Sequence, residues 1–315
     1  MSLLRVQDLW VRYRTRRGVV EALSGVSLSV EEGEVLGVVG ESGSGKSTLG
    51  LAIIRLLPGS AEVRGSVLLN GKDLMSLPEE ELRRIRGREV SMVFQDPYSS
   101  LNPVMRIGDH FVELMMEHGA AATREEALEI AGELLERLGV PRSRLNDYPH
   151  QLSGGQRQRV AIGLALALKP RLVIADEITT ALDALVERQI IDLVKEIKRE
   201  YKTSMLFITH NMGLVAEVAD RVAVLYAGRL AELGEVHEVV SNPLHPYTEA
   251  LLRSVPRIGG SKDLKPIPGE PPDMRNPPPG CRFHPRCPLA TDRCRRKEPP
   301  LVERGGRLVA CHVRG

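Results

Sequence analysis

The segment Gly40-Glu41-Ser42-Gly43-Ser44-Gly45-Lys46-Ser47 fits G-x-x-x-x-G-K-[ST], and it constrains the fold more than any other stretch. Ahead of it runs Val35-Leu36-Gly37-Val38-Val39, a short apolar run of buried-strand type; behind it, Thr48 to Leu57 reads as a helix. Glycines in such a loop let the backbone curl until successive N–H groups point into one hollow, and the helix N-terminus makes that hollow more positive. Lys46 is then expected to reach the β- and γ-phosphates of a nucleoside triphosphate, with the Ser47 hydroxyl on Mg²⁺. Gly40, Ser42, Gly43, Ser44, Gly45 and Thr48 complete the candidate cradle. A plain Gly/Ser turn before a helix is the bland alternative, and the full order of parts outweighs it.

At 315 residues, 42% apolar and 27% charged, the chain has an ordinary globular composition with room for more than one domain. A formal charge of +2 excludes a strongly basic nucleic-acid binder by bulk charge. No segment approaches the ~20 apolar residues of a membrane span. The longest candidate, Ala161 to Leu168, is short and flanked by Arg159 and Lys169, and Met1-Ser2-Leu3-Leu4-Arg5 lacks the apolar core of a signal peptide. The expectation is a cytosolic protein that touches a membrane only through a partner. Cys281, Cys287, Cys294 and Cys311 all fall in the last 35 positions, which in a reducing compartment suggests metal rather than disulfides.

Leu4-Val6, Leu9-Val11-Tyr13 and Val26-Leu28-Val30 alternate as antiparallel strands do, with a polar turn at Arg14–Gly18. Val67–Gly71 reads as a strand and turn, and Val90–Phe94 as a buried strand ending at Gln95. A mostly helical section follows. In it Thr123-Arg124-Glu125-Glu126 is a capping box, with Thr123 as N-cap and Glu126 reaching back, and Gly139 stops the helix. Further helices are predicted from Leu152–Gln156 to Leu168 and from about Ala184 to Tyr201, strands at Leu172–Ala175 and Ser204–Thr209, and a hairpin over Arg221–Gly234 turning at Ala227-Gly228. From about Pro256 to Gly280 the chain is rich in Pro and Gly and reads as an arm wrapped over the body.

Leu172-Val173-Ile174-Ala175 ends in two carboxylates, Asp176 and Glu177. Adjacent strand residues point opposite ways, so the pair can share a site only where the chain turns, as it does at the tip of a parallel strand. Asp176 can then hold Mg²⁺ through its water, and Glu177 can polarise the attacking water at the γ-phosphate.

Leu152-Ser153-Gly154-Gly155-Gln156-Arg157-Gln158-Arg159-Val160 resembles the signature sequence of the ABC transporter ATPases, and the resemblance spans roughly residues 3 to 255. It implies an α/β fold: a P-loop NTPase core with an antiparallel β subdomain and a helical signature subdomain at about 96–165, together filling 1–255. It further implies that Tyr13 stacks on adenine, with Trp10 its only rival. Gln95 is the Q-loop glutamine, also on Mg²⁺; Ala181-Leu182-Asp183 is the D-loop, and His210 the switch histidine. Lys46, Gln95, Glu177 and His210 are the expected catalytic set. Two such domains would clamp two ATPs head to tail, the Ser153-Gly154-Gly155-Gln156 edge of one covering the γ-phosphate held by Lys46 of the other. The start of a helix suits that contact because it favours an anion. Ile178 departs from the family's usual proline after the glutamate.

His245–Leu252, Pro268-Gly269-Glu270-Pro271-Pro272 and Gly280–Pro288 resemble the di- and oligopeptide importer subfamily, in its first of two paired ATPases. That likeness implies a peptide importer motor on the cytoplasmic face of the membrane. Its partners would be a second, homologous ATPase, two permease subunits and, indirectly, an extracytoplasmic binding protein, with no nucleic acid. Nickel or oligosaccharide uptake and a soluble nucleic-acid-associated ABC ATPase are the alternatives. Residues 256–315 would form the subfamily's C-terminal extension, a Pro-rich arm and a small cysteine-bearing tail. Its Cys-x₅-Cys-x₆-Cys-x₁₆-Cys spacing lacks the paired knuckles of structural zinc. The resemblance implies a [4Fe–4S] cluster, with Zn²⁺ and free thiols as competing readings. Arg293, Arg295, Arg296 and Lys297 around Cys294 are expected to favour thiolates.

Overall fold

The computed structural model describes residues 2–180, 182–254 and 267–315, so Ala181 and the first part of the Pro-rich arm lie outside the described residues. The chain divides into two compact units, residues 1–76 with 207–315, and residues 77–206.

The first unit opens with two 14-residue strands, β1 (Ser2–Thr15) and β2 (Gly18–Glu31), paired antiparallel across the polar turn. Bulges along β1 and a left-handed Asp8 (φ 45°) let strands this long bend. Five consecutive buried residues form β3 (Val35–Val39), the pattern of a strand covered on both faces. The phosphate-loop helix, α1, spans Lys46–Ile53, beginning two residues earlier and ending four earlier than Thr48–Leu57. The strand β4 (Ala61–Leu69) pairs with β1 and, through the left-handed turn Asn70-Gly71, with the short β5 (Lys72–Asp73), giving the sheet order β2-β1-β4-β5.

The second unit begins with a helix the periodicity did not single out, α2 (Glu79–Ile85), followed by β6 (Val90–Val93). Its helices α3 (Ile107–Glu117), α4 (Arg124–Arg137) and α5 (Gly154–Leu166) bury a common core that includes Phe111, Met115, Leu135 and Val160. The Thr123 hydroxyl caps α4 by accepting from Glu126 N–H at 3.2 Å. The Glu126 carboxylate departs from the expected box, since it accepts from Ala122 N–H at 2.7 Å, one residue further back. Gly139, at φ 73°, ends the run. The strand β7 (Leu172–Asp176) lies parallel to β6, with Val90 opposite Leu172 and Val93 opposite Ala175. A long helix, α6 (Ala184–Tyr201), follows, and the unit boundary falls inside β8 (Ser204–Thr209).

The first unit resumes with α7 (Met212–Val218), then the hairpin β9 (Arg221–Tyr226) and β10 (Arg229–Glu235), turning at left-handed Ala227 and Gly228 as predicted. The strand β9 runs parallel to β3. Two short helices, α8 (Val236–Ser241) and α9 (Pro246–Arg253), follow. The cysteine-bearing tail supplies α10 (Asp292–Arg296) and a small hairpin, β11 (Val302–Arg304) and β12 (Arg307–Val309), and β12 pairs with β10. The tail is thereby a continuation of the first unit's sheet, in the order β11-β12-β10-β9-β3. Four of its arginines pin it down, Arg314 by reaching Glu249 at 2.8 Å. Arg282 reaches Glu21 at 2.9 Å, Arg286 reaches Glu41 at 2.7 Å, and Arg307 reaches the fully buried Glu232 at 3.4 Å. The arm's described part also joins, with Glu21 N–H donating to the Met274 carbonyl at 2.9 Å.

Candidate active site

In the first unit the loop between β3 and α1 has the geometry its glycines require. A Cβ at Gly40 would stand 2.2 Å from the Leu225 carbonyl oxygen, and one at Gly45 (φ 101°) 2.5 Å from that of Ala22. Neither place admits a side chain, which is why the motif spends glycine there. Lys46 is buried, and its Nζ donates to the carbonyls of Gly40 at 2.8 Å and Glu41 at 3.0 Å, so its ammonium is held across the loop's own mouth. The Ser44 hydroxyl is buried with no hydrogen-bond partner among the described residues. A buried polar group left over in a curl of backbone N–H groups at a helix start is what a phosphate-binding loop presents. Ser42 and Gly43 line the same loop, and Ser47 and Thr48 lie in the first turn of α1.

The Tyr13 hydroxyl lies 3.3 Å from Thr48 Oγ1, which ties the candidate adenine-stacking ring to this helix. Its rival Trp10 is engaged elsewhere: its indole N–H donates to Asp8, and the guanidinium groups of Arg12 and Arg229 stand 5.9 and 5.5 Å from its ring. His210 is exposed and directly follows β8. The next residue, Asn211, caps α7 by accepting from Gly213 N–H, fixing where that strand-to-helix turn falls.

In the second unit Asp176 ends β7 and is 5% exposed. Glu177 follows with φ 46°, in the left-handed region that non-glycine residues rarely adopt. That turn is what two adjacent carboxylates need in order to serve one site. The Glu177 carboxylate accepts from Gln95 Nε2 and from the Thr180 hydroxyl, both at 3.2 Å, so the structure brings the Q-loop glutamine to the candidate base. Ile178 is 2% exposed and fills an apolar place where proline was expected. Ser153 caps α5 in a full capping box: its hydroxyl accepts from Gln156 N–H at 3.3 Å, and the Gln156 side chain accepts from Ser153 N–H at 3.1 Å. Gly154 and Gly155 form the first turn above them. Asp183 caps α6 by accepting from Leu185 and Val186 N–H groups. Ser47, Gln95 and Asp176, the Mg²⁺ donors expected from the sequence, offer oxygen donors of the kind that suits this hard cation.

Glu41, Tyr247 and Arg286 were not singled out in the sequence, yet they meet at the phosphate loop. Glu41 N–H donates to the Tyr247 hydroxyl at 2.8 Å, and its carboxylate takes both terminal nitrogens of Arg286, at 2.7 and 3.0 Å. No local signal could find them, because Arg286 is 245 residues from Glu41.

The cysteine tail corrects two expectations. Burial pushes the Cys281 thiol up to about 11, with Cys294, Cys287 and Cys311 each adding repulsion, and burial also raises Cys287. For these two the nearby basic residues do not produce the expected thiolates, because desolvation outweighs them. The four free thiols share a neighbourhood, but among the described residues no three His, Cys, Asp or Glu side chains stand close enough to hold a metal ion. Neither the expected [4Fe–4S] cluster nor the alternative Zn²⁺ finds support in this arrangement.

Residues 23–180 match the ABC transporter family, and residues 231–294 match the oligopeptide/dipeptide transporter C-terminal region. The chain is 47% identical over 307 residues to the oligopeptide transport ATP-binding protein OppD of Bacillus subtilis, covering 96% of this chain and 86% of that one. It is 44% identical over 315 residues to the dipeptide transport ATP-binding protein DppD of Caldanaerobacter subterraneus, covering 99% and 97%. Among solved structures, a dimeric post-hydrolysis ATP-binding cassette bound to ADP and Pi superposes with a TM-score of 0.67 at 29% identity, covering 74% of this chain and 98% of that one. The phosphate loop, the carboxylate tip and the signature helix thus sit in a chain that belongs to the ABC transporter family, as an ATPase with the C-terminal region of the oligopeptide and dipeptide transporters.

Proposed function

We propose that this chain is the ATP-hydrolysing motor of an importer for di- and oligopeptides, working at the cytoplasmic face of a membrane with two permease subunits and a second, homologous ATPase. The observation that carries the reading is Glu177, held at a left-handed turn by Gln95 and Thr180, in a chain that also has a complete phosphate loop. The full-length likeness to OppD and DppD supports peptides over nickel or oligosaccharides.

Lys46 and the loop N–H groups take the β- and γ-phosphates, and Tyr13 takes the adenine face. Ser47, Gln95 and Asp176 would hold Mg²⁺, which would supply charge neutralisation on the phosphates. Glu177 accepts a proton from the attacking water, while His210 and Gln95 report the γ-phosphate to their own elements. The γ-phosphate gives the closed pair of cassettes its differential affinity, because Ser153 and the N–H groups of Gly154 and Gly155 of one cassette cover the phosphate bound by the other, with Asp183 beside that contact. Hydrolysis removes the bridge and the pair opens.

Among the described residues no helix is long and apolar enough to cross a membrane, so coupling must pass through a docking surface. Tyr98, 51% exposed with Arg157 stacked 4.2 Å over its ring, and Val104, 79% exposed, mark that surface. In vesicles containing the permease pair, peptide should stimulate ATP hydrolysis and labelled peptide should accumulate. Stimulation by nickel or an oligosaccharide instead of peptide contradicts the substrate assignment.

For the tail, the proposal is a [4Fe–4S] cluster in a structural role. In its support, the tail carries four free thiols, the number a cluster takes. Anaerobic protein should carry iron and acid-labile sulfide in equal amounts, whereas colourless zinc-loaded protein contradicts the cluster.

A further inference from the structure

Every polar group of Glu41 is engaged. Its N–H donates to the Tyr247 hydroxyl, its carbonyl accepts from Lys46 at 3.0 Å, and its carboxylate accepts both arms of the Arg286 guanidinium. Arg286 is itself fixed. Its Nε donates to the Pro268 carbonyl at 2.8 Å, a terminal nitrogen contacts the Tyr226 hydroxyl at 3.3 Å, and its side chain is 4% exposed. Around this pair Tyr226, Tyr247 and Phe283 pack with ring centroids 4.5 to 5.4 Å apart. Pro271, Pro272 and Met274 of the arm close against Glu41–Ser44.

A phosphate loop binds with main-chain N–H groups, so its affinity depends on where the backbone is held before the ligand arrives. Residue 41 is the first after Gly40, and its carbonyl is one of the two that hold the Lys46 ammonium. A bidentate arginine on its carboxylate therefore fixes the loop at the point where Lys46 is aimed. Among the described residues Arg286 is the tail arginine whose ion pair ends on this loop; Arg282 and Arg307 end on strands, and Arg314 on α9.

We propose that Arg286 is a positioning residue for ATP: through its buried ion pair with Glu41 the C-terminal tail holds the phosphate loop in its binding shape, so the nucleotide site of this chain is completed by the extension and not by the cassette alone. The proposal rests on the ATP-site reading above. It also explains why a Pro-rich arm and a cysteine tail belong with this cassette: the loop Cys281–Cys287 presents Arg286, so whatever loosens that loop should weaken ATP binding.

The test is steady-state ATP hydrolysis by the full chain assembled with its permease and partner ATPase. Arg286→Gln should raise the KM for ATP about tenfold while kcat changes less than about twofold, the signature of lost ground-state positioning. Arg286→Lys should give a rise of about threefold or more, since an ammonium cannot reproduce the fork. Glu41→Gln combined with Arg286→Gln should recover part of the loss, because no unpaired, half-buried carboxylate then remains. Arg307→Gln, which breaks a pin away from the loop, should lower the melting temperature without moving the KM. An unchanged KM in folded Arg286→Gln, or a double variant worse than that single one, overturns the proposal. Should Arg286→Gln fail to assemble, Glu41→Asp is read in its place: withdrawing the carboxylate by one methylene should raise the KM, and an unchanged KM overturns the proposal. Failure of the ATP site itself would show differently, as no turnover by the unmodified complex.

Discussion

Glu177 concentrates the chemistry at the scale of one residue. Its left-handed backbone costs on the order of 1–3 kcal/mol, a strain that persists only where the surroundings over-determine it. Glu177→Gln keeps the shape and removes the base, so phosphate release should fall by about 10²–10⁴-fold while ATP still binds; wild-type turnover in that variant would take Glu177 out of the base role. His245 carries a different prediction. Burial pushes its pKa from 6.5 down to about 4, and its neutral Nδ1 accepts from Tyr247 N–H at 3.0 Å. Below about pH 6.5 the unfolded chain takes a proton that the folded chain refuses, so stability should decline between about pH 6.5 and 4, by about 3 kcal/mol in all, and level off below. Urea midpoints measured at pH 7, 6 and 5 should fall in the unmodified chain, and fall less in His245→Asn. Equal slopes would show that His245 is not the group responsible.

Among the elements, α5 separates two roles of one hydroxyl. Ser153 caps the helix and also stands at the edge assigned to the neighbouring nucleotide. Glycine is a tolerable cap, costing only a few tenths of a kcal/mol, whereas alanine costs about 1. Ser153→Gly should therefore keep nearly the unmodified melting temperature yet weaken ATP-dependent association, and intact association there would leave Ser153 a cap and nothing more. Val104→Glu, on the exposed segment before α3, should spare the isolated chain's ATP hydrolysis and abolish peptide uptake; unaffected uptake would move the coupling surface elsewhere. Elements of this kind were legible where the signal is local. The hairpin at Ala227-Gly228, the Thr123 cap and the boundaries of α6 all follow from neighbours in sequence. The pairing of β12 with β10 and the buried arginines of the tail did not, because they are set by contacts between residues about 75 to 260 positions apart. The rise of the Cys281 thiol was likewise not legible, because its burial is set by distant packing.

At the scale of the whole molecule each of the two units carries its own share of the candidate residues. Tyr13, the phosphate loop and His210 belong to one, and Gln95, Ser153–Gln156, Asp176, Glu177 and Asp183 to the other. The most direct measurement is the sedimentation of the Glu177→Gln chain, mixed with its partner ATPase, with ATP, with ADP and with neither. A pair that forms only with ATP, alongside phosphate release by the unmodified chains, is the predicted result. Association that ignores the nucleotide, or none in any condition, contradicts the claim that the γ-phosphate joins two cassettes.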